Sequence, residues 1–133
     1  MDRDVRASNS PTIGEIDVST LHDILADNPG ATVIDVRSLP EWMEARVPQV
    51  TRFVDFERFA VEIQSQGLNQ DDTIYLICRT GNRSDHAARY LASRGFKSVF
   101  NVLGGIVDWY QKGFPIASGP LPDTNDGGPQ SAE

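Results

Sequence analysis

The sequence predicts a parallel-sheet α/β domain with helices on both faces of the sheet, and three observations support this. Short β-branched runs alternate with segments of helical spacing, and such alternation requires parallel strands joined by crossover helices. The run Thr73-Ile74-Tyr75-Leu76-Ile77-Cys78 is apolar on both its faces, the pattern of a strand covered from both sides. At 133 residues the chain has room for one such domain but not for two separate cores.

Residues 1–11 are polar and end in Pro11; residues 118–133 are rich in Gly and Pro, with Asp123, Asp126 and Glu133 and no basic residue. Neither stretch has a hydrophobic period, so both are expected to be flexible, flanking one domain over residues 12–117. Ile13 to Ile16 reads as a first short strand. Ser19 is expected to cap a helix with Leu21, Ile24 and Leu25 on one face, ended by Asn28-Pro29-Gly30. Thr32 to Val36 is a buried strand bounded by turn residues. A short helix follows Pro40, Thr51 to Val54 forms another strand, and Phe56 to Ser65 has helical spacing at Phe56, Phe59, Ala60 and Ile63. After the strand ending at Cys78 comes a polar loop, Arg79 to Arg83. The next helix presents Ala87, Ala88, Leu91 and Ala92, with Gly95 at its end. Ser98 to Val102 is the last strand. Gly104-Gly105 then turns into a final helix containing Ile106, Trp109 and Tyr110, closed by Gly113 and Pro115. Trp42, Trp109 and Tyr110 fall at helical positions expected to pack inward.

Bulk properties narrow the function. The net charge of −7 disfavours nucleic acid and anionic membrane surfaces as partners of the whole molecule. An anion site would therefore be a local positive pocket on an acidic body. A single cysteine excludes an intramolecular disulfide framework. The start lacks the apolar core of a signal peptide, and no run approaches the ~18 to 20 apolar residues of a membrane span. A reducing cytoplasm is the expected location. His22 and His86 have no paired ligands nearby in sequence, so no zinc site is expected.

Cys78 ends a buried strand, and in open parallel sheets ligands bind beyond such ends. A lone buried cysteine reads first as a small apolar residue. The segment that follows, Arg79-Thr80-Gly81-Asn82-Arg83-Ser84, makes little sense as core. Its amides can form a nest, the next helix adds partial positive charge at its N-terminus, and Arg79 and Arg83 add full charges. Each favours thiolate over thiol and would hold a small anion or the terminal sulfur of a persulfide.

At these residues the sequence resembles the rhodanese family. Cys78-Arg79-Thr80-Gly81-Asn82-Arg83-Ser84 is similar to its active-site loop, with four residues between Cys and Arg. Val33-Ile34-Asp35-Val36-Arg37, with Glu41-Trp42 and Pro48, is similar to its first signature. Asn101-Val102-Leu103-Gly104-Gly105-Ile106, with Trp109 and Gly113-Phe114-Pro115-Ile116, is similar to its last. The resemblance covers residues 12–117 in order and implies a three-layer α/β/α sandwich around a parallel sheet of about five strands. It also implies sulfur transfer: Cys78 takes sulfane sulfur from thiosulfate or a persulfide, holds it as Cys–S–SH, and yields it to a thiol or cyanide. Loop amides from Arg79 to Ser84 would hold the persulfide, and Arg79 and Arg83 would bind the donor's oxyanion. Asp35 and Arg37 either cap a turn and pair with each other, or support the cysteine loop. No metal or organic cofactor is implied; a sulfur-relay protein is a further expected partner.

One departure is Ala45-Arg46-Val47-Pro48-Gln49-Val50, where the family commonly reads Gly-His-Ile-Pro-Gly-Ala. Arg46 either adds positive potential near the site or is a solvated surface charge, and the second reading is favoured. Two other functions compete. A cysteine-dependent phosphatase or arsenate reductase would use a similar loop, but phosphatases related to this family place five residues between Cys and Arg, and no general acid can be assigned here. A persulfide carrier or regulatory binding module would keep the fold without small-molecule turnover.

Overall fold

The computed structural model describes residues 12–120; the segments expected to be flexible lie outside the described residues, apart from 118–120. Five strands form one all-parallel sheet: β1 (Gly14–Ile16), β2 (Thr32–Asp35), β3 (Arg52–Phe53), β4 (Thr73–Ile77) and β5 (Ser98–Val102), in the order β1-β5-β4-β2-β3. The helices are α1 (Val18–Asp27), α2 (Leu39–Glu44), α3 (Phe59–Glu62), α4 (Asn82–Ser93) and α5 (Gly105–Gln111). They cover both faces, making a three-layer α/β/α sandwich.

Strand side chains alternate between faces, so the sheet builds two cores. On one face Ile34, Ile74, Leu76 and Val99 pack with Ala87, Ala88 and Leu91 of α4 and Phe59 of α3. On the other, Val33, Ile77 and Val102 pack with Leu21 and Leu25 of α1, Trp42 of α2, and Ile106 and Trp109 of α5. Strand β4, central in the sheet, feeds both faces through consecutive residues. Cys78, the residue after it, therefore sits at the middle of the sheet's C-terminal edge.

Several local expectations change. The cap of α1 is Asp17, whose carboxylate accepts from the Thr20 amide at 2.8 Å, and not Ser19. Starting the helix at Val18 puts Val18, Leu21 and Leu25 on one buried stripe, which a start after Ser19 would break. The segment from Phe56 is not a single helix. It is a 3₁₀ turn (Phe56–Arg58), the single turn α3, and a second 3₁₀ turn (Ile63–Gln66). Only Phe59 and Ile63 in it are buried, too little apolar stripe to anchor a longer helix. Tyr110 is 69% exposed. Ile106 and Trp109 occupy the buried stripe of α5, and the next residue is rotated by roughly 100° toward solvent.

Arg46 departs furthest from expectation. It is 2% exposed; it is not a solvated surface charge. Its Nη1 donates to the carbonyls of Trp42 at 3.2 Å and Gly119 at 2.6 Å, and its guanidinium lies 4.9 Å from the Trp42 ring centroid. Its backbone exchanges hydrogen bonds with Ala117, both at 2.9 Å. The side chain holds residues 117–119 against α2, where a histidine could make fewer such bonds.

Candidate functional site

The loop after β4 is shorter than the sequence indicates. Gly81, at φ 113, caps α4, so Asn82 and Arg83 belong to the helix's first turn. That φ lies in a region only glycine adopts readily. It folds the chain back so that the first amides of α4 face Cys78. Cys78 Sγ accepts from the Gly81 amide at 3.1 Å, the Ser84 amide at 3.3 Å and Ser84 Oγ at 3.2 Å. The residue is 1% exposed. Two amides and a hydroxyl that converge on one sulfur can stabilise negative charge there.

A second layer holds these donors in place. Asn101, on the α4 face of β5, donates Nδ2 to the Gly81 carbonyl at 3.1 Å, and its Oδ1 takes the Ser84 hydroxyl at 2.5 Å. Because Nδ2 is engaged by Gly81, Oδ1 must be the acceptor, so the single Ser84 proton is shared between Asn101 and Cys78. Asn101 is buried and was not singled out from the sequence as a site residue. An Asn in a strand bearing buried valines was the available signal, since a buried amide needs partners.

The carbonyls of Cys78 and Arg79 accept from the Ile106 and Val107 amides at 2.9 and 3.1 Å, which docks α5 directly on the loop. Gly105 makes that approach possible. A Cβ there would lie 2.3 Å from the Cys78 carbonyl oxygen and 2.4 Å from that of Arg79, and its φ is +57. Gly105→Ala is expected to cost about 2–4 kcal/mol through strain and lost hydrogen bonds, read as a lower urea midpoint.

The charged residues separate. Arg83 donates Nη1 and Nη2 to the two carboxylate oxygens of Glu41, at 2.8 and 2.9 Å. The same carboxylate accepts from the Ser38 amide and hydroxyl at 3.0 and 2.8 Å, as part of the capping box of α2. The Arg83 guanidinium, with help from Ser38, pulls the Glu41 carboxyl down to about 2 from its ordinary 4.5. A depressed carboxylate stabilises the fold above its unfolded pKa and loses that effect as pH falls through the folded value. The stability advantage of the wild type over Glu41→Gln is thus expected to be full above about pH 4.5 and gone by about pH 2, measured by urea unfolding across that range.

Arg79 is exposed and borders a cavity of about 290 Å³ that it shares with Arg37, Glu44, Ile106, Val107 and Tyr110. Thr80 and Asn82 are also exposed. Asp35 and Arg37 are buried together. Arg37 Nε lies 2.9 and 3.1 Å from the two Asp35 oxygens, Nη2 lies 2.9 Å from Oδ2, and the Arg37 amide donates to Oδ1 at 3.0 Å. Burial pushes the Asp35 carboxyl up, against these bonds. Arg37 Nη2 also donates to the Ala45 carbonyl at 2.5 Å. Among the described residues neither side chain bonds the Cys78 loop, so the geometry is that of a capped turn and an ion pair. His22 stacks on Phe114 at 4.2 Å, and His86 is exposed. Among the described residues no cluster of His, Cys, Asp and Glu could hold a metal ion.

The comparisons with known proteins agree with this architecture. The profile of the family described as "Rhodanese-like domain" matches residues 17–112. The chain is 35% identical over 106 residues to the "Putative sulfur carrier protein YrkF" of Bacillus subtilis (strain 168), covering 80% of this chain and 56% of that protein. It is 29% identical over 106 residues to a "Sulfurtransferase" of Allochromatium vinosum, covering 80% of this chain and 96% of that one. Among solved structures, a rhodanese-related protein from Thermoplasma volcanium superposes with a TM-score of 0.67 at 26% identity, over 78% of this chain and 97% of that one. With the matched profile spanning α1 through α5 and including the cysteine loop, the chain belongs to the rhodanese-like domain family.

Proposed function

We propose that the protein is a sulfurtransferase that carries sulfane sulfur as a persulfide on Cys78. The observation that carries this reading is the convergence of the Gly81 amide, the Ser84 amide and the Ser84 hydroxyl on Cys78 Sγ. In the first half-reaction the thiolate attacks the outer sulfur of thiosulfate or of a persulfide. The donor's S–S bond breaks, its electron pair leaves on sulfite or on the donor thiolate, and Cys78–S–SH forms. In the second, an acceptor thiol or cyanide attacks that outer sulfur and the Cys78 thiolate leaves. The amides of Asn82 and Arg83, at the start of α4, have no acceptor within the helix and would hold the added sulfur. Arg79 borders the approach.

The names of the two relatives, one a sulfur carrier and one a sulfurtransferase, support the same chemistry, with a sulfur-relay protein as donor or acceptor. A phosphatase reading is less well supported, because the Arg83 fork that would clamp a phosphoryl group is engaged by Glu41. A single cysteine working as a thiolate suits a reducing compartment such as the cytoplasm; among the described residues no helix is long and apolar enough to cross a membrane.

Intact-mass spectrometry tests the proposal. The purified protein is incubated with thiosulfate or, separately, with a low-molecular-weight persulfide, and then with cyanide. A gain of one sulfur atom that cyanide removes is the expected result. No gain with either donor would sink the enzyme reading and leave a binding module.

A further inference from the structure

The arginine that ends the cysteine loop is not available to an incoming anion. Glu41 takes both its terminal nitrogens, and Ser38 holds Glu41 from the other side through the capping box of α2. Glu41 is thus fixed at its backbone end and at its carboxylate, unlike a surface pair that forms and breaks freely. The surroundings add to the effect. Arg83 lines a small cavity with Ser38, Asp55, Phe56 and Glu57, and the larger cavity on the Arg79 side contains Glu41 and Glu44. Arg37 in that cavity is engaged by Asp35. Among the described residues, Arg79 is the one cation of these two cavities without an ion-pair partner; Glu41 and Glu44 line its own cavity, and Asp55 and Glu57 line the other.

We propose that Glu41, by neutralising Arg83, makes the Cys78 site select a persulfide over the thiosulfate dianion as its sulfur donor. This deepens the sulfurtransferase reading and rests on it. Thiosulfate brings two negative charges to a mouth that is not cationic, and sulfite must leave with both. A persulfide, R–S–SH, brings no charge on its reacting group when protonated. Cys78–S⁻ forms a bond to its outer sulfur, the donor's S–S bond breaks, and RS⁻ leaves with the electron pair, giving Cys78–S–SH. Atoms and charge balance without an oxidant or reductant. Glu41 is held far below its ordinary range, so it stays charged at neutral pH.

Loading rates of wild type and Glu41→Gln with thiosulfate and with cysteine persulfide, followed by intact mass, test this. Glutamine keeps the Oε1 acceptor of the capping box, removes the charge and gives up the Oε2 acceptor of Arg83 Nη2. Comparing the two proteins cancels the intrinsic reactivity of the donors. The thiosulfate-to-persulfide rate ratio is expected to rise about tenfold in the variant, as one full charge near the mouth warrants. An unchanged or lower ratio would overturn the proposal, since Glu41 would then merely position Arg83. Wild type alone gives a second reading should the variant fail to fold. Its thiosulfate loading is expected to accelerate with added salt, which screens like-charge repulsion, and slowing with salt overturns the proposal. Absence of loading from both donors in wild type, with Cys78 still open to alkylation, would overturn the sulfurtransferase reading itself.

Discussion

Cys78→Ser is expected to lose sulfur loading completely while folding as the wild type does. A serine oxygen cannot form the S–S bond on which the cycle depends, and no second cysteine exists to substitute for it. The folding half of the prediction follows from the site's geometry. Sγ is an acceptor for the Gly81 and Ser84 amides and the Ser84 hydroxyl, and a serine oxygen is an acceptor too. The change shortens the side chain slightly but leaves no donor without a polar neighbour, so the cost should stay near about 1 kcal/mol. Intact mass after incubation with donor, paired with a thermal melt, checks both halves. Sulfur gained by Cys78→Ser would move the chemistry away from this loop.

The largest expected effect on stability belongs to Arg37→Ala. Asp35 and Arg37 are both nearly fully buried, with side-chain exposures of 2% and 4%. Removing the guanidinium strips Asp35 of its charged partner and leaves the Ala45 carbonyl without the Nη2 donor. An uncompensated buried charge of this kind typically costs about 3–5 kcal/mol. Burial already pushes the Asp35 carboxyl up, and loss of Arg37 removes what opposes it. A carboxyl with a raised folded pKa favours the fold at low pH and loses that contribution as pH rises through the folded value. The deficit of Arg37→Ala is therefore expected to shrink on acidification, measured as urea midpoints at a series of pH values. A deficit that grows with acid would mean that Asp35 is stabilised by something other than Arg37. Replacing both residues with apolar ones of similar volume should recover most of the loss, because the pair's own net contribution is small.

The parts of the site readable in advance are those with local causes. Gly81 and Gly105 sit where positive φ or close backbone approach demands glycine, and they mark the loop and the helix docked on it. The near-continuous apolar run of β4 announces a strand buried on both faces and puts Cys78 at its end. The errors have non-local causes. Ser19 is as good a cap as Asp17 on local chemistry, and only the burial of Val18 chooses between them. Arg46 reads as surface because arginines usually are; residues 117–119, more than 70 positions later in the chain, supply the carbonyl that buries it.

By itself, then, the sequence determined a parallel α/β sheet with a lone cysteine at a strand end and a loop bearing glycine and arginine after it. Each of these follows from periodicity, turn residues and spacing within a few positions. The tertiary structure decided which charges meet that loop. Strand β2 lies beside β4 in the sheet, so the chain leaves both strands at the same edge and the first turns of the helices that follow them lie close, although α2 and α4 then cover opposite faces. That adjacency brings Glu41 to Arg83 across 42 positions, just as the adjacency of β5 and β4 brings Asn101 under Gly81 and Ser84. Electrostatic partnership depends on distance in space, and strand order sets that distance.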